Sequence, residues 1–146
     1  MKPTDNATLY FDGSFVPRYN LSGYGIVIEL SDGYKFENFG DINYSTKTHN
    51  VAEYYALIRG LERSIDMKIK NLVVKGDSEL IINQMNKSYE CKKKHLIPLY
   101  KKSNKLCKFF DSVFFQHIPR EMNVEADKLS KKAVSSQVWL EEWEDY

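Results

Sequence analysis

Cysteine is scarce: the 146 residues hold two, Cys91 and Cys107, and they make no C-x-x-C pair. That spacing excludes a disulfide scaffold and suggests no thiolate metal site, so two reduced thiols are expected. Long apolar runs are missing as well. No stretch approaches the roughly 18 residues of a membrane span, and the opening MKPTDNATLYFDG lacks the apolar segment of a secretory leader. The expectation is a cytoplasmic protein with no membrane partner. Net charge is also nearly absent, at +1 from 21 basic and 20 acidic residues, so bulk electrostatics announce no polyanion partner. There is no internal repeat and no low-complexity linker. We therefore expect a single domain over residues 1–146, with a core at 7–134, a tail at 135–146, and a monomeric state.

What is present supports a core, with 42% apolar and 14% aromatic residues. Three strand-like segments come first, at residues 7–15, 23–30 and 34–42. Ser31-Asp32-Gly33 is a tight-turn signal between the second and third, which predicts an antiparallel meander. VAEYYALIRGLERSI carries apolar residues three and four apart and reads as a helix over 51–65. NLVVKG is a short buried strand at 71–76, followed by a helical pattern at 77–86. A second helical pattern at 95–110 has Pro98 in its first turn. SVFFQHI is a fifth strand at 112–118, and 123–134 is a last helix. From Ser135 onward no period is clear. The order β-β-β-α-β-α-α-β-α implies an α/β fold, a mixed sheet covered by helices. Between Lys87 and Lys108 eight lysines face one acid, Glu90, either a solvated helix face or a phosphate-tracking patch.

Four carboxylates stand in awkward places. Asp12 follows the most apolar run of the first strand, where strands disfavour aspartate; alone it reads as a turn starter. Glu53 lies on the stripe that continues through Ala56, Leu57, Gly60 and Leu61, so it points inward; alone it completes a capping box with Asn50 as N-cap. Asp77 ends the fourth strand, where either it or Ser78 serves as N-cap of the next helix. Asp127 has Lys131 four residues on, an exposed pair worth a few tenths of a kcal/mol. Their joint placement is the stronger signal. If the first and fourth strands are neighbours, Asp12, Glu53 and Asp77 converge, and such a cluster persists only when cations neutralise it. Oxygen-only ligands select Mg²⁺ or Mn²⁺.

LYFDGSF, THNVAEYYALIRGLE, VVKGDSELIINQMN and HIPREMNVEADKLSKKA together resemble the four motif blocks of type 1 ribonuclease H, in order and over most of the chain. The last block is most similar to the archaeal-type, reverse-transcriptase-like branch. The resemblance implies a five-stranded sheet of order 3-2-1-4-5 flanked by helices. It implies that Asp12, Glu53, Asp77 and Asp127 bind two Mg²⁺ ions, with Mn²⁺ as substitute. Asp12 is then central, Glu53 and Asp77 lie toward the leaving group, and Asp127 lies toward the nucleophile. The implied activity is endonucleolytic cleavage of the RNA strand of an RNA–DNA hybrid, leaving 3′-hydroxyl and 5′-phosphate ends. Substrate contacts are implied for Asn50 and for Gly13 and Ser14 at the RNA 2′-hydroxyls, and for Thr48 at a DNA phosphate. Arg120, in the loop before the last helix, is a further candidate to reach substrate. Asn123 either supports the site or caps that helix. Two departures bear on hybrid binding: His49 stands where the family often has asparagine, and Glu79 where many members carry glutamine. His117 precedes Asp127 by ten residues, but its alternation with Val113 and Phe115 assigns it to packing. The alternative is a non-catalytic module of the same fold that binds hybrid or double-stranded RNA, which normally shows a lost acid. All four are present.

Because Glu79 places a negative charge where phosphates are expected, Glu79→Gln should tighten hybrid binding at low salt. Fluorescence anisotropy with a labelled hybrid checks this, and unchanged or weaker binding would count against a phosphate-facing Glu79.

Overall fold

A computed structural model describes residues 5–45 and 47–144. Its spine is β1 (Asn6–Val16), which pairs antiparallel with β2 (Leu21–Leu30) from Ala7–Leu30 to Val16–Leu21. The turn Ser31-Asp32-Gly33 then leads into β3 (Lys35–Asp41), antiparallel to β2, which completes the meander. Residues of β2 are buried almost without interruption, as befits a strand covered on both faces. By contrast β3 is largely exposed and polar, an edge strand.

Helix α1 (His49–Asp66) crosses to β4 (Asn71–Gly76), which lies parallel to β1, and α2 (Glu79–Met85) and α3 (Ile97–Cys107) follow. Next, β5 (Ser112–His117) pairs parallel with β4 at the other edge. A short 3₁₀ turn over Arg120–Met122 precedes α4 (Val124–Glu144). The sheet order is therefore β3-β2-β1-β4-β5, as the resemblance implies. The order reverses between β1 and β4, and ligands of open α/β sheets bind outside the carboxyl ends of strands at such a point. The last registered pair there is Tyr10–Lys75. Two residues further on, Asp12 and Asp77 come side by side.

The helices reach this point from opposite faces. Leu9, Phe11 and Gly13 face α1: a Cβ on Gly13 would lie 2.2 Å from the Ala52 carbonyl carbon. The alternate residues face α4, and on that side a Cβ on Gly25, which pairs with Asp12, would lie 2.3 Å from the Ala126 carbonyl oxygen. Main chain thus rests on main chain at both places, which only glycine permits.

Several local expectations need correction. The N-cap of α1 is Thr48, whose hydroxyl accepts from the Val51 N–H at 3.1 Å, rather than Asn50. Glu53 then lies beyond the reach of a capping box. Of the two N-caps left open for α2, Ser78 is the one used, so the helix starts at Glu79 and Asp77 is not a cap. His117 is exposed rather than packed, because β5 is an edge strand whose final residues lie outside the helical layer. The longest miss is α4, which continues past Val134 to Glu144. Its extension is tied down by Gln137, whose side-chain N–H₂ donates to the Ser22 carbonyl at 2.9 Å and the Ala133 carbonyl at 3.0 Å. A polar anchor of this kind leaves no apolar period to read. No described helix is long and apolar enough to cross a membrane.

Because the two nearest atoms facing Gly25, the Ala126 carbonyl oxygen and the Ser130 nitrogen, belong to the helix backbone and cannot rotate aside, Gly25→Ala should destabilise the protein by about 1–3 kcal/mol. Urea unfolding would show a lower midpoint at unchanged slope; an unchanged midpoint would mean that α4 does not rest on Gly25.

Candidate active site

Local structure delivers three carboxylates to one place. Asp12 comes from β1, Glu53 from the second turn of α1, and Asp77 from the residue after β4. One oxygen from each lies within 4.8 Å of the others. Asp12 is 5% exposed and Glu53 1%, so neither charge is solvated as it is in water. One Glu53 oxygen, Oε1, lies 3.4 Å from His49 Nε2, while Oε2 is buried with no hydrogen-bond partner. A buried carboxylate oxygen without a donor is costly.

The electrostatics follow from this geometry. Burial pushes Asp12 up to about 6, with the Asp77 charge adding to the rise and a hydrogen bond with Glu53 opposing it. Glu53 is raised well above the usual carboxylate range, first by burial and then by the Asp12 charge. Asp127 behaves otherwise. It sits in the first turn of α4, outside the close trio, with Oδ2 2.9 Å from Lys131 Nζ. Partial burial favours its neutral form, but the Lys131 hydrogen bond and charge outweigh that and hold it below its ordinary value. The ion pair expected from spacing is therefore present, and it keeps Asp127 ionised beside the trio.

Of these acids, Asp12 and Asp127 border a cleft of about 500 Å³, whereas Glu53 and Asp77 are not part of its lining. Gly13, Ser14, His49 and Arg120 line it with Asp12 and Asp127, and Phe15, Tyr19, Val134 and Val138 form an apolar wall. Part of that wall belongs to the extension of α4 for which the sequence shows no period. Arg120 is highly exposed, its Nε 4.0 Å from Asp77 Oδ2. Thr48 and Asn50, at the start of α1, and the exposed Glu79 lie outside the cleft lining. Asn123 is buried, and its amide donates to the Phe11 carbonyl at 2.9 Å. Of the two roles left open for it, that bond makes a brace between α4 and the residue before Asp12. Sequence reasoning passed over Ser130 as a functional residue. It is fully buried, with Oγ 3.1 Å from Asp12 Oδ2 and 2.7 Å from Ser14 Oγ. No local pattern links it to a strand 118 positions away.

Three acidic side chains, an unpartnered oxygen and no nitrogen or sulfur ligand in the trio fit a hard divalent cation. Comparisons with known proteins point the same way. A family model described as reverse transcriptase-like matches residues 10–133. The uncharacterized protein YpeP of Bacillus subtilis is 35% identical over 137 residues, 91% of this chain and 61% of its own length. Ribonuclease HI of Halobacterium salinarum is 30% identical over 125 residues, 86% of this chain and 62% of its own. The chain thus spans about three fifths of these two relatives, and 32% of the bifunctional protein Rv2228c of Mycobacterium tuberculosis. Among solved structures, RNase H1 of H. salinarum superposes with a TM-score of 0.84 at 29% identity, covering 90% of this chain and 98% of that one. LC11-RNase H1, solved in complex with an RNA/DNA hybrid, gives 0.82 at 32% identity, covering 90% and 99%.

In chelator, folded Asp12 and Glu53 hold protons up to a higher pH than unfolded carboxylates do. Their contribution to stability is therefore present at low pH and is lost as pH rises through about 6 for Asp12. Asp12→Asn removes this loss and should be more stable than the parent near neutral pH by on the order of 1–3 kcal/mol. Added Mg²⁺ should raise the melting temperature of the parent but not of the variant. Equal stability of the two proteins in chelator at neutral pH would mean that these carboxylates do not strain each other.

Proposed function

Since the chain belongs to the type 1 ribonuclease H family, in its reverse transcriptase-like branch, we propose that it hydrolyses the RNA strand of RNA–DNA hybrids. Cleavage is endonucleolytic and leaves 3′-hydroxyl and 5′-phosphate ends. One observation carries this reading: oxygens of three carboxylates lie within 4.8 Å of one another where the pairing of β1 with β4 ends, with a buried Glu53 oxygen lacking any hydrogen-bond partner.

Asp12, Glu53 and Asp77 are the residues that would hold the metal, with Asp127 completing the set. Two bound Mg²⁺ ions, or Mn²⁺ in their place, would supply the Lewis acidity that activates water and stabilises the leaving oxygen. The remaining work falls to the chain itself. Asp127, kept ionised by Lys131, remains able to bind a cation or accept a proton at neutral pH. Arg120 at the rim offers a planar guanidinium to a phosphate and balances the acids. The apolar wall of Phe15, Tyr19 and Val134 keeps bulk water from one side of the cleft, which strengthens the charge interactions inside.

Recognition of RNA requires contact with the 2′-hydroxyl, the group that distinguishes its sugar. Gly13 and Ser14 line the cleft beside Asp12, and Asn50 stands one residue into α1 from His49; these are the proposed contacts. The Thr48 hydroxyl accepts from Val51 and so keeps its proton for a DNA-strand phosphate. Glu79, exposed at the start of α2, is the proposed contact that weakens rather than supports phosphate binding.

The test is cleavage of labelled RNA–DNA, RNA–RNA and DNA–DNA duplexes in Mg²⁺, Mn²⁺ and chelator. The RNA strand of the hybrid should be cut with either ion and remain whole in chelator. Asp12→Asn should reduce cleavage to background while retaining the parent's circular dichroism spectrum. Activity surviving in that variant, or in chelator, would overturn the assignment.

A further inference from the structure

We propose that Ser130 is a positioning residue for Asp12: its hydroxyl, backed by that of Ser14, fixes the orientation of the carboxylate at the centre of the site. The inference rests on the metal-centre reading above and adds a residue to it. Ser130 Oγ lies 3.1 Å from Asp12 Oδ2, 2.9 Å from the Asp127 carbonyl oxygen and 2.7 Å from Ser14 Oγ. A serine carries one proton, so only one of these contacts is its own donation. A back-bond to the carbonyl three residues earlier is the ordinary habit of serine inside a helix.

Two features favour the carboxylate. An ionised oxygen is the stronger acceptor, and the helical carbonyl can take its ladder hydrogen bond from the backbone. Ser14 then donates to Ser130 Oγ and occupies its acceptor side. The result is a directed chain, Ser14 to Ser130 to Asp12, running from the cleft surface to a buried carboxylate.

Such a chain has a purpose that packing alone does not serve. The terminal torsion of aspartate is broad and two-fold, so the side chain itself does not choose the plane of its carboxylate. A donor fixed on another element makes that choice. Ser130 is fixed because α4 lies directly on the sheet: a Cβ on Gly25 would fall 2.6 Å from the Ser130 nitrogen. Hydrogen-bond partners behind metal ligands typically influence affinity by about 10–100-fold.

Mg²⁺ titration by calorimetry, beside urea unfolding of the metal-free protein, tests this. Ser130→Ala should raise the Mg²⁺ dissociation constant by about 10-fold, and Ser14→Ala should raise it by less. Calorimetry reads binding by folded molecules, so a merely structural serine would lower the unfolding midpoint and leave the constant unchanged. That outcome overturns the proposal. If Ser130→Ala does not fold, Ser130→Cys keeps the volume with a weaker donor and decides the same question. A parent protein that binds no Mg²⁺ would remove the metal centre, and this inference with it, whereas parent-like binding by Ser130→Ala would remove the inference alone.

Discussion

Carboxylates that repel one another have to be held together by contacts that do not depend on them. In this protein those contacts are between backbones. The Gly13 main chain rests on the start of α1, and Gly25 rests on α4, so two helices press on β1 and β2 from opposite faces with no side chain between. Overpacking at such a contact is costly because backbone atoms have nowhere to move. The same packing that excludes water from the core therefore excludes it from Asp12 and Glu53, which are buried beside these backbone contacts.

From that constraint the division between the acids follows. Asp12 and Glu53 are buried against each other and rise toward neutrality, while Asp127, on the rim with Lys131, stays charged. One site thus contains carboxylates shifted in opposite directions, upward by burial for Asp12 and Glu53 and downward by a lysine for Asp127. A divalent cation reverses this logic for the buried pair, because a nearby positive charge favours ionisation where desolvation opposed it. Stability and metal affinity are then linked: the arrangement that is strained without a cation is the one most improved by it.

The surroundings of the acids are built from parts that each serve the fold as well. Asn123 braces the start of α4 to β1 beside Asp12, and the late turns of α4 both tether to β2 through Gln137 and wall the cleft with Val138. In the lysine-rich stretch, Lys87 bonds the Tyr100 hydroxyl at 2.9 Å and ties the turn after α2 to α3. That lysine has a structural partner, which narrows the part of the block available to a phosphate backbone.

Much of this was legible in the sequence because it is local. Alternation marked the strands, three-and-four spacing marked the helices, and the four motif blocks carried the sheet order and singled out Asp12, Glu53, Asp77 and Asp127. Even local signals failed where two solutions were chemically equal. Thr48 and Asn50 can both cap a helix, and in the structure α1 starts at His49, so that Thr48 takes the role; His117 alternates like a packed residue, yet it is the last residue of edge strand β5, and the burial of Phe115 two residues earlier does not extend to it. The α4 extension was hidden because a glutamine, bonded to a carbonyl on β2, anchors it in place of an apolar stripe. What tertiary structure alone decided is the pairing of distant groups: Ser130 with Asp12, Asn123 with Phe11, Gly25 with Ala126. The reason is physical, since periodicity depends on the geometry of one segment, whereas these contacts depend on how closely separate backbones can approach.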